Sequence, residues 1–315
     1  MIDVVALGEL LIDFAAKSTD AAGYPTMAAN PGGAPGNFLA ALNAYGRKTA
    51  FLGKVGNDAF GHLLLGTLNA AGIVTKGIVV DDSVFTTLAF VTFDESGDRS
   101  FSFARKPGAD TQLSWEEIDK SLIDEARVFH FGTLSLTDEP VRTATQKAVA
   151  YAKEHGKLIT CDPNLRLPLW HNEEAAKEQM LWSLHQADVV KISDNEVEFL
   201  WNCTPEEGAD KLLSEFGVGL AMVTLGPDGC LLKTKNASFR ATCPKVHPVD
   251  TTGAGDIFGG SAVSRLLELE KPIDALTEAD LAHIGCFAAT AASLSTEASG
   301  GIPSIPEKEA VLKAM

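Results

Sequence analysis

Short apolar runs recur along the chain at intervals that suit alternating strands and helices. Residues 3–8 (DVVALG), 49–55 (TAFLGKV), 128–132 (VFHFG), 157–161 (KLITC), 188–192 (DVVKI) and 220–225 (LAMVTL) are brief, β-branched and apolar on both faces. Such runs predict parallel strands covered by helices on each side. Helical segments fall between them at 58–71, closed by Gly72, at 139–155, closed by Gly156, and at 173–187. Ser114, with Glu117 three residues later, predicts a capping box. The alternation predicts an α/β fold with a mostly parallel sheet and helices on both faces. Residues 77–105 depart from it, reading as GIVV, TLAFVTFD, an ESGD turn and RSFSFA with no helix between. Partial polar–apolar alternation there predicts a small sheet with one wet face. We read residues 1–315 as one α/β domain with a small β-sheet lid, its excursions lying at about 11–32 and 77–105. After residue 250 the strands stop, and 253–269 and 278–296 read as two helices.

Composition narrows the partners. The 315 residues are 45% apolar and 22% charged, as in a soluble globule with a large core. With 26 Lys+Arg against 42 Asp+Glu the net charge is −16, which argues against nucleic acid and anionic membrane as partners. A phosphorylated ligand would need local attraction from a helix N-terminus, a metal ion or a few placed cations. No apolar run is long enough to span a bilayer. The opening MIDVVALGELLIDF carries Asp3, Glu9 and Asp13 and reads as a first strand rather than a signal peptide. The five cysteines include no CxxC pair and read as thiols in a reducing compartment, so a cytoplasmic location is expected.

The sharpest chemical feature is DTTGAGDIFGG at 250–260. Gly253, Ala254 and Gly255 precede a helical run, so their N–H groups and the helix dipole form a site for a phosphoryl oxygen. Asp256 in the first turn either stabilises that helix or accepts a hydroxyl proton during phosphoryl transfer. GNDAFGH at 56–62 has the spacing of a Walker A loop but lacks its Lys-Ser/Thr. Gly253–Gly259 fits a dinucleotide fingerprint only loosely, since it opens no first βαβ unit; a nicotinamide oxidoreductase is the weaker alternative. PGGAPGN at 31–37 is a glycine-rich turn or a loop that approaches a small polar ligand, with Asn37 offering donor and acceptor. Asp13 ends an apolar run and is either a solvated strand end or a partner for sugar hydroxyls. DPNLRLPLW at 162–170 follows a strand, where ligands bind in open α/β sheets. In ISDNEVEF at 192–199, Asn195 and Glu198 share a helix face, which suits Mg²⁺ with its waters or simply a capped acidic helix start. VTLGPDGC at 223–230 reads as a strand and a turn.

Together these segments resemble the PfkB, or ribokinase-like, carbohydrate kinase family, from GELLIDF near the start to GGIPSIP at 300–306. GGAPGN and DTTGAGD look like its two signatures, NEVE like its N-x-x-E magnesium motif and TLGPDG like its nucleotide loop. Within the family, DPNLRLPLW, HFGTLSL and FARKPGAD look most like fructokinases, although Lys106 stands where those usually have Asn. The resemblance implies ATP:D-fructose 6-phosphotransferase activity with ATP and Mg²⁺. It implies Asp256 as base and Gly253, Ala254 and Gly255 as anion hole. Asp13, Gly32, Gly33, Asn37, Arg105 and Arg166 become sugar-side residues. Asn164, Lys191, Thr224, Gly226 and Gly229 become nucleotide-side residues. Glu198 and Asn195 would serve Mg²⁺, partly through water, and Asp250 and Thr252 a monovalent cation such as K⁺. A 2-keto-3-deoxygluconate kinase, another sugar or nucleoside kinase of the family, and a non-catalytic sugar-binding relative are the alternatives carried forward. Open edges of the lid strands would allow pairing into a homodimer.

Overall fold

In strand β1 (Ile2–Leu7), Val5 and Leu7 join one apolar cluster while Val4 and Ala6 join another, so successive side chains feed two cores. The chain is described here from a computed structural model, over residues 1–93 and 99–315. After β1 come β2 (Leu11–Thr19), β3 (Pro25–Gly32), α1 (Ala34–Ala44), β4 (Thr49–Gly56), α2 (Ala59–Ala70), β5 (Val74–Asp81), β6 (Thr87–Phe93) and β7 (Arg99–Ala104). Next are α3 (Lys120–Glu125), β8 (Ala126–Gly132), α4 (Val141–Glu154), β9 (Leu158–Asp162), α5 (Glu173–Gln186), β10 (Val189–Ser193), α6 (Asp194–Trp201), α7 (Pro205–Ser214) and β11 (Leu220–Thr224). The chain ends with β12 (Cys230–Lys233), β13 (Ser238–Ala241), α8 (Ala254–Leu269), α9 (Glu278–Ser295) and α10 (Lys308–Ala314).

The large sheet has the order β13-β12-β11-β10-β9-β8-β1-β4-β5. From β11 to β5 every pair is parallel, and only the β11–β12 and β12–β13 pairings are antiparallel. Side chains of α3, α4, α5 and α7 pack in the core on one face; those of α1, α2, α8 and α9 pack on the other. Both faces are therefore dry, as the apolar runs require. The parallel strands share one carboxyl edge, where Asp162, Ser193 and Thr224 end β9, β10 and β11.

A second sheet of order β3-β2-β6-β7 stands apart from the large one. The β6–β7 pairing is antiparallel, with Leu88 opposite Ala104, as the alternation predicts. The ESGD turn lies outside the described residues. One boundary is corrected: residues 77–80, expected in the second excursion, belong to β5 and pair in parallel with β4 in the large sheet. Ile78 packs with Leu64 and Leu68 of α2, and the second excursion begins at Thr87. Among the described residues no helix is long and apolar enough to cross a membrane. All five cysteines are free thiols, with Cys161 and Cys230 buried.

Candidate active site

Gly253 immediately precedes helix α8, and its backbone is left-handed at φ 78°. A Cβ there would come within 2.9 Å of the Gly301 Cα, so both conformation and space call for glycine. No side chain caps this N-terminus. The Ala254 amide donates to the Thr251 carbonyl at 3.3 Å, so it is turned partly back into its own turn. Deeper in α8, a Cβ on Gly260 would strike the Phe38 carbonyl of α1. The bare helix face thus lets α1 and α8 approach closely and brings Asn37 against Asp256.

That carboxylate accepts from two amides, Asn37 Nδ2 on Oδ2 at 2.9 Å and Asn164 Nδ2 on Oδ1 at 3.0 Å. Burial pushes its pKa above the ordinary range, while the hydrogen bond from Asn37 and the charges of Lys191 and Arg166 pull it back. Asn164, a nucleotide-side expectation, therefore meets the base-side carboxylate; it adopts φ 50° to do so. Lys191, at the middle of β10, donates from Nζ to Asp162 Oδ2 at 3.0 Å, and the pair is buried. The same Nζ lies 3.1 Å from where a Cβ on Gly255 would sit, which puts an ammonium beside the first turn of α8. Burial works against the Lys191 charge, but the carboxylates of Asp162, Glu196 and Asp256 outweigh it and hold its pKa above the ordinary value. Burial pushes Asp162 up to about 7. Asp162 Oδ1 and Asn37 Oδ1 are buried without a hydrogen-bond partner.

Asp13 projects from β2 in the small sheet, with its carboxylate packed against the Gly32 backbone. Burial pushes it up to about 6, Arg166 lowers it, and Asp256 and Asp250 raise it, so these groups share one field. Arg166 is exposed on the loop after β9. Gly33, at φ 113°, leads into α1, whose first amide, that of Ala34, donates to Glu9 Oε1 at 2.9 Å. Asp250 Oδ1 accepts from Thr252 N and Oγ1 at 3.0 and 2.7 Å, and Oδ2 accepts from Gly300 N at 3.0 Å.

Other expected residues stand elsewhere. Thr224 ends β11 beside Ser193, while Gly226 lies in an exposed turn and Gly229 packs against the Ala241 carbonyl. Asn195 and Glu198 do share a face of α6, but both are exposed in a groove with Asn202, Thr204 and Glu207. Arg105 is buried in an ion pair with Asp110 rather than presented as a free cation. Three carboxylates escaped the sequence reading. Glu196 accepts from Leu165 N at 2.7 Å and boxes Ser193, so the Ser-x-x-Glu spacing was its signal. Asp162 closes a strand at the ligand-binding edge. Glu9, pushed up to about 7 by burial, has no local spacing that marks it.

A family model described as pfkB family carbohydrate kinase matches residues 1–308. Fructokinase-2 of Solanum lycopersicum is 41% identical over 309 residues, covering 96% of this chain and 93% of its own. The structure of fructokinase with bound ATP from Xylella fastidiosa superposes with a TM-score of 0.89 at 29% identity, covering 99% of this chain and 97% of that one. A fructokinase double mutant from Vibrio cholerae O395, in fructose, ADP and potassium ion bound form, gives a TM-score of 0.87 at 30% identity, covering 99% and 98%. The protein is therefore a sugar kinase with the ribokinase-like α/β fold. It belongs to the PfkB family of carbohydrate kinases, and its similarity within that family is to fructokinases.

Proposed function

We propose that this chain transfers the γ-phosphoryl group of ATP to the primary hydroxyl of D-fructose, giving fructose 6-phosphate, with Asp256 as the base. The observation that carries the reading is the Asp256 carboxylate, held by Asn37 and Asn164 at the start of α8 with Lys191 beside Gly255. Asp13 and the Asn37 side chain bind sugar hydroxyls, and Gly32 and Gly33 form the backbone side of the sugar site. Even with its raised pKa, Asp256 is far more acidic than an alcohol. It cannot pre-ionise the hydroxyl, and takes the proton as the new P–O bond forms. The amides of Gly253 and Gly255 and the Lys191 ammonium meet charge developing on the transferred group, while that of Ala254 is turned toward the Thr251 carbonyl. Most of the rate then comes from positioning and charge neutralisation.

The residues present fit a magnesium ion brought in with ATP. Among the described residues no three metal-ligating side chains cluster into a cage. Mg²⁺ uses one or two carboxylates plus phosphates and water, and the unpartnered Asp162 Oδ1 offers such a carboxylate. Glu198 and Asn195 would act through water. When bound, the ion neutralises phosphate charge. The turn closed by Asp250, Thr252 and Gly300 is the proposed place of a monovalent cation.

A neutral hexose is favoured over 2-keto-3-deoxygluconate because the Arg105 guanidinium, the buried cation an acid sugar would want, is engaged by Asp110. We place the protein in the cytoplasm, with two copies pairing through small-sheet edges. Turnover with ATP and Mg²⁺ on fructose, ribose, tagatose, nucleosides and 2-keto-3-deoxygluconate tests the substrate. The highest kcat/KM is expected for fructose. Preference for the keto acid would overturn the substrate and spare the kinase.

A further inference from the structure

We propose that Asp110 and Arg105 form a clasp that fixes the root of the small sheet, and that both act as positioning residues for the sugar rather than touching it. The proposal rests on the kinase reading above. Thr87 is the first residue of β6, and Arg105 follows the last residue of β7, so the hairpin enters and leaves at these two positions. One carboxylate holds both. Asp110 Oδ1 accepts from the Thr87 hydroxyl, while Oδ2 takes Arg105 Nε at 2.8 Å and Nη2 at 2.7 Å. The guanidinium then reaches into the body, where Nη1 donates to Thr137 Oγ1 and Nη2 to the Leu134 carbonyl, each at 2.8 Å. Thr87, Arg105, Asp110 and Thr137 are all at most 6% exposed.

The wider geometry follows from this point. Leu11 of β2 pairs with Thr87 on one side and with Gly32 of β3 on the other, so the clasp sits where all four strands begin or end. Two positions beyond Leu11 is Asp13, the sugar-side carboxylate. A Cβ on Gly108 would collide with the Thr87 hydroxyl, so the intervening turn is shaped to keep the clasp closed. Four of the guanidinium's donor positions are directed at Asp110, Thr137 and Leu134, which suits a bracket and not a ligand contact. Displacing a substrate by ~1 Å can cost ~10²-fold in rate, so a loosened root is expected to show in sugar kinetics.

The test uses the full chain with Asp110→Asn, Arg105→Lys, both together, and Thr87→Val, on the sugar the parent phosphorylates fastest. Asp110→Asn and Arg105→Lys are each expected to raise the sugar KM by about tenfold and to leave the ATP KM unchanged. They are also expected to raise the ratio of ATP hydrolysed to sugar phosphorylated, because water reaches a poorly covered site. The double variant should be no worse than the worse single, since both break one pair. Thr87→Val keeps the ion pair and should move the same readouts less, which preserves the test if the charge variants fail to fold. A raised sugar KM in Arg105→Lys with none in Asp110→Asn means that the guanidinium touches sugar, and it overturns the clasp. So does an unchanged sugar KM and hydrolysis ratio throughout. A parent chain inactive on every sugar overturns the kinase reading itself, and the clasp's role with it.

Discussion

Two acidic clusters of this molecule are built on opposite principles. At the root of the small sheet, Asp110 gives both oxygens to Thr87 and Arg105, and the guanidinium's remaining bonds go to the body. At the carboxyl edge of the large sheet, Asp162 and Asn37 each leave a buried oxygen without a partner, and Asp13, Asp162 and Asp256 all have raised pKa values because burial disfavours their charges. Buried polar groups in native proteins are normally satisfied, so the deficit marks the edge as the place that expects a ligand. The satisfied cluster holds shape. Residue type alone did not separate them, because each joins a buried aspartate to a buried cation, Asp110 to Arg105 and Asp162 to Lys191.

The strongest way to break this contrast is at Asp256. Asp256→Asn is expected to fold and bind nucleotide, and to lose ~10²–10⁴-fold in kcat, measured by steady-state turnover beside ADP titration calorimetry. Half the parent turnover would remove Asp256 from the chemistry. Lys191→Met sharpens the contrast differently. It leaves Asp162 buried and unpaired, so denaturant unfolding should show a loss of about 3–5 kcal/mol. Adding Asp162→Asn should restore much of that stability while turnover stays low, because the ammonium beside Gly255 is still gone. Turnover recovered in the double variant would reduce Lys191 to a structural role.

The raised carboxyls give the contrast a pH signature. For Asp13, at about 6, and Glu9 and Asp162, at about 7, the native state holds protons that the unfolded chain has already released. Their favourable contribution is complete below the ordinary carboxyl range of about 4 and is lost progressively as pH rises to about 7, so the unfolding midpoint should fall between about pH 4 and 7. Sugar binding runs the other way. Ionised Asp13 is the better acceptor for two hydroxyls, so kcat/KM for the sugar should drop as pH falls below about 6, and Asp13→Asn should flatten that limb. An unchanged acid limb in the variant would exclude Asp13. The smallest effect is expected at Glu198→Gln, an exposed position. Its stability should stay within ~0.5 kcal/mol of the parent. Its half-saturating Mg²⁺ concentration should rise by about tenfold if the carboxylate works through water.

Much of the large sheet was legible because β1, β9, β10 and β11 are apolar on both faces, a pattern that few other elements share. The strands β12 and β13 were not, since four residues each give no period to read. GIVV at 77–80 was assigned to the lid because no helix followed it, although its partner was the already covered β4. In the candidate site, Asp256 and Asn37 could be found from glycine-rich signatures that precede helices. Spacing marks Glu196 as a helix-capping acid, but the further bonds of Arg105 and Glu196 depend on what lies opposite them across the fold. Spacing along the chain carries no information about a partner 31 residues away, as Leu165 is from Glu196.

Asn164 holds φ at 50°, a conformation that most side chains avoid, and from there its amide reaches Asp256. Glycine would relieve the backbone and silence the amide; glutamine would keep the amide and resist the backbone. Two independent demands fall on one residue, so the sequence has almost no freedom to drift there without the base losing half of its support.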